Sequence, residues 1–196
     1  MATTTNYGWE TPDDTDLVKD GALAQRTTAN SIDSTLGTAL NNKLHAGLVL
    51  IKTQTIGTGV SSVSVTNAFS STYDNYKIII SGGAGSTNAA ITLKLGASTT
   101  TYYEFMMYGN YGSATIGGAV NNGVSPWFGW AGGTGANGQY FNVELLAPYL
   151  AKYTRIQTDG AYLGETETGT MSGIHKSNTS YSDFTIAPSS GTLTGG

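Results

Sequence analysis

Two histidines, seven scattered carboxylates and a dense run of aromatics are the side chains of this chain that could do chemistry. His175 follows Glu165 and Glu167 closely, and an imidazole oriented by a carboxylate could activate a serine hydroxyl. No Gly-x-Ser-x-Gly nucleophile elbow accompanies it. His45 sits where helical patterning gives way to strand patterning. Asp74, Glu104, Glu144, Asp159, Glu165, Glu167 and Asp183 could pair for glycoside hydrolysis, but sequence singles out no pair. The expectation is a protein that is not an enzyme, uses no cofactor and binds no metal.

Two motifs imitate ligand sites. Gly133-Thr-Gly135-Ala-Asn-Gly138 has the letters of a dinucleotide-binding loop. That chemistry needs a helix N-terminus directly behind the loop. The residues that follow, QYFNVELL, are strand-like, so a hairpin loop is expected. Asp13-Asp14-Thr15-Asp16 resembles part of a calcium loop without its spaced ligands. These acids suit the positive end of a helix instead. Asn178-Thr-Ser180 is a formal glycosylation sequon, without meaning in a bacterial producer.

The aromatics carry more weight. Tyr102, Tyr103, Phe105, Tyr108 and Tyr111 cluster, with Trp127, Phe128 and Trp130 just downstream. Strand alternation places Tyr103 and Phe105 on one face and Tyr102 on the other. Tyr102, Tyr108, Tyr111, Trp127 and Trp130 are candidates for recognition of sugar rings or a partner surface. The competing assignment for most of them is core or subunit interface.

The elements that position these residues fall into two parts, 1–45 and 46–196. Asn6–Leu44 holds 9 of the 22 charged residues and is the only stretch with helical patterning. Thr11 can cap, Pro12 suits the first helical position, and Asp13, Asp14 and Asp16 face the dipole. Gly21 is a weak helix former, and Thr27, Thr28 and Asn30 predict a break near 27–31, with Ser31 capping a second helix that starts at Ile32. Val18, Ala22, Ala29, Ile32, Leu36 and Ala39 form a thin apolar seam, too narrow to bury alone, which predicts partner chains. Tyr7 and Trp9 precede the helix and are expected to dock on a neighbour.

From Ala46 the period drops to two. AGLVLIKTQTI reads as a strand, and Tyr76, Ile78 and Ile80 alternate with Lys77 and Ile79. Ile91, Leu93 and Leu95 alternate with Thr92 and Lys94, which means one wet face and an antiparallel sheet. Further strands are expected at TTTYYEFMMYG, SPWFGWAG, QYFNVELLAP, KYTRIQTDG, TGTMSGIHK and YSDFTIAP, with exposed loops at 112–123 and 166–170. Nine or so short strands predict a jelly-roll-like antiparallel β-sandwich behind an N-terminal helical arm. Pro188-Ser-Ser-Gly191 reads as a turn, and the three residues after it are short for a hairpin arm, so the natural chain is expected to run on.

Composition agrees with an external structural role. Only 11% of residues are charged, against about 25% in ordinary soluble proteins. Glycine supplies 27 of 196 residues, and the surface must be wetted by hydroxyls and amides. The net charge of −4 argues against nucleic-acid binding. Cysteine is absent, which excludes disulfides and thiolate metal sites. No apolar run approaches a membrane span, and MATTTNYGWE lacks the pattern of a secretory signal.

The opening NYGWETPDDTDLVKDGALAQRTTANSIDSTL resembles the N-terminal segment of tailed-bacteriophage virion proteins of the minor tail and tail-fibre type. FSSTYDNYKIIISG resembles their β domain, and APSSGTLTGG their penultimate hairpin, after which relatives carry another strand. The resemblance implies a homotrimeric, non-enzymatic virion component assembled in the host cytoplasm. It would be held to other virion proteins through Tyr7, Trp9 and the helix, and would project a β-rich head towards the host surface. A capsid decoration or head-fibre protein is the alternative.

Overall fold

The computed structural model describes residues 2–12, 17–44, 47–160 and 165–196. They form two compact units, Met1–Ile51 and Lys52–Gly196.

In the first unit, β1 (Ala2–Thr3) and β2 (Glu10–Thr11) make a small antiparallel hairpin. A 3-10 turn at Val18–Asp20 leads into α1 (Gly21–Leu44). Helix onset therefore comes later than Thr11 and Pro12 imply, because Thr11 is spent on pairing with Ala2. Asp13, Asp14 and Asp16 lie outside the described residues. The expected break at 27–31 is also absent, and α1 runs through it unbroken. Thr28 Oγ1 shares its one proton between the Ala24 carbonyl, at 2.9 Å, and the Glu10 carbonyl, and Thr35 Oγ1 donates to the Ser31 carbonyl at 2.8 Å. Threonines that bond back one turn have their hydroxyls satisfied within the helix, and Thr28 also ties it to β2.

In the second unit the period-two patterns become strands. They are β3 (Val63–Val65), β4 (Asn75–Ile80), β5 (Ala84–Gly85), β6 (Ala89–Leu95), β7 (Tyr102–Asn110) and β8 (Ile116–Ser125). After them come β9 (Phe128–Gly135), β10 (Gly138–Leu146), β11 (Thr154–Gly160), β12 (Glu167–His175), β13 (Phe184–Pro188) and β14 (Leu193–Thr194). Ten of them form one antiparallel sheet in the order β3-β13-β6-β9-β10-β11-β12-β7-β8, with β4 attached to β10. The protein is thus mainly β, with one N-terminal helix and a large antiparallel sheet.

β10 is where the sheet turns. Gly138–Phe141 pairs with β9, Phe141–Leu146 with β4 and Val143–Leu146 with β11. β9 also packs against β7, β8, β11 and β12, with none of which it forms a backbone ladder, so the sheet curls over its own inner face. Ile91, Leu93, Leu95, Tyr102, Met106, Phe128, Phe141, Val143, Leu145 and Met171 fill that interior and are almost entirely buried.

Two expected loops are strands. Residues 112–123 are largely β8, and residues 167–170 open β12. Glycine makes β8 look like a loop, but β7 covers it: the Tyr108 ring occupies the space a Cβ on Gly117 would need, and Tyr103 does the same at Gly123. Aromatic cover of this kind lets glycine persist in a strand. Gly123 (φ +79°) also sits in the register shift between Tyr102 and Tyr103, a bulge position that favours glycine. Conversely, the strand expected over AGLVLIKTQTI does not form; residues 47–56 carry no regular structure. Its apolar content predicted a strand, but no described neighbour supplies it with a ladder.

The Gly133–Gly138 motif is a hairpin loop, as expected. Gly135 pairs with Gly138 and only Ala136 and Asn137 lie between. Asn137 N and Nδ2 both donate to Glu165 Oε1, at 2.8 and 2.9 Å. β14 pairs with β5, and Leu193 is fully buried. Among the described residues, no helix is long and apolar enough to cross a membrane.

Candidate functional site

The side chains with chemical capacity divide by face. On the inner face, β12 ends at His175, which is fully buried and stacks on Tyr102 with ring centroids 4.2 Å apart. Its Nε2 lies 2.8 Å from the Tyr181 hydroxyl and 3.1 Å from Ser98 Oγ, and Nδ1 lies 3.3 Å from Thr101 Oγ1. Burial holds the imidazole below its ordinary pKa, partly countered by a hydrogen bond to the Thr101 backbone, which favours the protonated ring. Among the described residues its ring nitrogens meet hydroxyls and no carboxylate, and these contacts tie the end of β12 to Ser98, Thr101 and Tyr181. His45 lies outside the described residues.

Tyr102, expected among the recognition residues, belongs to the same packing instead and presents no surface. It is fully buried, meets Phe128 edge-on at 4.9 Å, and its hydroxyl accepts from Leu95 N at 3.0 Å. Desolvation pushes its pKa up to about 12. Alternation placed it opposite Tyr103 and Phe105, and that opposite face is the core.

Glu104 is the buried carboxylate of β7. Gly129 N donates to both its oxygens, at 2.7 and 2.9 Å, and Asn121 Nδ2 donates to Oε1 at 3.1 Å. Among the described residues no cation pairs with it. Desolvation raises its pKa, against the lowering effect of these donors. It ties β7 to β8 and to β9 across the curl. Among the described residues no three metal-ligating side chains of the His, Cys, Asp or Glu type stand together.

On the outer face, β7, β8, β11 and β12 form an open groove of about 500 Å³. Tyr103, Phe105, Val120, Asn122, Arg155 and Ile174 line it. The ladder aligns Asn122, Tyr103, Ile174 and Arg155 in one row and Val120, Phe105 and Ser172 in the next. Lys176 Nζ stands 4.2 Å above the Tyr103 ring, which brings a second cation to the end of the first row. Flat apolar rings beside an amide, a hydroxyl and a guanidinium can stack on a sugar ring and bond its hydroxyls. Phe105 and Arg155 are residues that sequence reasoning left out of the recognition set. The β7 alternation already marked Tyr103 and Phe105 as sharing a face, and only the burial of Tyr102 shows which face is wet.

The remaining candidates scatter. Tyr108 and Trp130 are half-buried and pack against the core. Trp127 is half-buried beneath Lys94 Nζ, 4.6 Å from the ring centre. Tyr111 is exposed just past the end of β7. The structure does not bring these four together in the groove.

In the N-terminal unit, Tyr7 and Trp9 stack with centroids 5.1 Å apart. Trp9 Nε1 donates to Thr35 Oγ1 at 3.1 Å, so its indole is engaged by α1, while Tyr7 stays exposed. Of the seam, Ile32 is half-buried and Val18, Ala22, Ala29, Leu36 and Ala39 are exposed. Among the described side chains of this helix, Ala24 is the apolar one that is buried. No family model, curated protein or solved structure matches this chain.

Proposed function

We propose that this chain is a structural virion protein of a tailed bacteriophage: a homotrimeric tail-fibre or minor tail component with a jelly-roll-like β-sandwich that meets the host surface. The observation that carries this reading is the state of α1. A 24-residue helix in which, among the described side chains, Ala24 is the buried apolar one gains little from its own chain. Helices in water depend on packing of an apolar face, and here Val18, Ala22, Ala29 and Leu36 are exposed and free for partner helices. The N-terminal unit is then the anchor to other virion proteins, and the charge-poor β unit is the display. Its outer groove, with Phe105, Tyr103 and Arg155, suits a host-surface glycan, and the protein works by binding rather than catalysis.

Gold-labelled antibody raised against the β unit tests the location on purified particles. Label at the tail, with loss of adsorption to host cells, is the expected result. Label spread over the shell would make the chain a capsid decoration protein, and absence of label from particles would overturn the virion assignment. Release of oligosaccharides from host surface glycan would overturn the non-enzymatic one.

A further inference from the structure

β8 is the last strand in the sheet order. One of its edges pairs with β7, and no described strand pairs with the other. Its ten residues, IGGAVNNGVS, include no charge and no proline. Natural edge strands are blunted by such residues or by covering, because open donors and acceptors template pairing with another chain. On its outer face Ile116, Val120 and Val124 are 81%, 71% and 90% exposed, beside the half-exposed Phe105 and Met107 of β7. The open edge is therefore bordered by an apolar row two strands wide.

The same chain carries a segment with the complementary deficiency. Gly47–Ile51 reads GLVLI, is apolar and β-prone, and among the described residues its backbone makes no hydrogen bond. Leu48 and Leu50 are 82% and 83% exposed, while Val49 and Ile51 are less so, which is already the period of a strand. The next residue roots the segment: Lys52 Nζ donates to the Thr66 carbonyl at 2.5 Å, one residue past β3. β3 and β8 are the two ends of the strand order.

We propose that Gly47–Ile51 of one copy adds as a strand to the open edge of β8 in a second copy. Neither segment is charged, so nothing opposes the pairing, and alternate leucines would extend the row of Ile116, Val120 and Val124. Every copy offers one donor and one acceptor, so head-to-tail addition satisfies all copies when it closes into a ring. This deepens the homotrimer reading and rests on it.

The chain has no cysteine, so engineered thiols report pairing cleanly. Full-length Leu50→Cys is mixed and oxidised separately with Ile116→Cys, Val120→Cys and Val124→Cys, which samples the register. A disulfide-linked pair in at least one mixture, lost on reduction and absent from each variant alone, is expected. In parallel, Leu50→Lys and Val120→Lys should each drop the sedimenting mass from about three times 20.3 kDa to one, with an unchanged melt of the β unit. No cross-link in any mixture, or a bond formed only within one chain of the Leu50→Cys/Val120→Cys double variant, would overturn strand addition. A trimer that persists in both lysine variants would overturn it and leave the homotrimer reading standing. Wild-type protein that is monomeric at micromolar concentration would remove both.

Discussion

Lowering the pH from 7.5 towards 5 tests the packing around His175. The imidazole is fully buried, its nitrogens meet the hydroxyls of Tyr181, Ser98 and Thr101, and burial holds its pKa below 6.5. The unfolded chain therefore takes up a proton first as pH falls. Stability from this group is complete above about pH 6.5, declines below it, and stops changing once pH passes the folded-state value. One proton sets the steepest slope at about 1.4 kcal/mol per pH unit. Glu104 works in the opposite sense: its raised folded pKa makes the folded state bind a proton first as pH falls towards 4.5. The assay is urea denaturation at stepped pH, followed by tryptophan fluorescence in a Trp9→Phe background, so that Trp127 and Trp130 of the β unit report alone. The difference between His175→Gln and its parent isolates the histidine from the carboxylates. His45→Gln serves as the control for the other imidazole. Equal slopes in parent and His175→Gln, or an imidazole NMR titration of His175 with an ordinary midpoint, would refute the reasoning.

Three further substitutions probe the bulge in β8 and the indole bond to α1. Gly123→Ala places a Cβ at φ +79° and 2.5 Å from Tyr103 Cζ, so the β unit should lose about 1–3 kcal/mol in urea denaturation. Gly138→Ala, where a Cβ meets nothing within 4 Å, should change stability by no more than about 0.5 kcal/mol; equal losses at the two sites would contradict the role of the bulge and the Tyr103 ring. Trp9→Phe keeps an aromatic ring but removes the donor to Thr35 Oγ1, worth about 1 kcal/mol. Amide exchange in β1 and β2 should quicken about fivefold, and unchanged exchange would mean the indole bond does not hold the hairpin.

Much of the β unit was legible from side-chain period alone. Tyr76, Ile78 and Ile80 share the partly buried face of β4, and Ile91, Leu93 and Leu95 are the buried set of β6. The Gly133–Gly138 loop could be assigned as a hairpin because strand patterns flank it. The groove was only half legible: β7 alternation grouped Tyr103 with Phe105, yet the partners Arg155 and Asn122 come from β11 and β8, which the chain reaches only through pairing.

What sequence by itself determined is which residues share a face in β4, β6 and β7, the hairpin at Ala136-Asn137, and the presence of one helix ahead of a charge-poor antiparallel sheet. These follow from local geometry, since a strand alternates faces and tight turns demand particular residues. Tertiary structure alone decided that Tyr102 faces the core, that glycine-rich β8 is a strand, that β10 serves β4, β9 and β11, and that apolar GLVLI has no described partner. The reason is that period gives a strand its two faces without saying which is buried or what lies along its edges. Both depend on backbone ladders and ring contacts with residues tens of positions away.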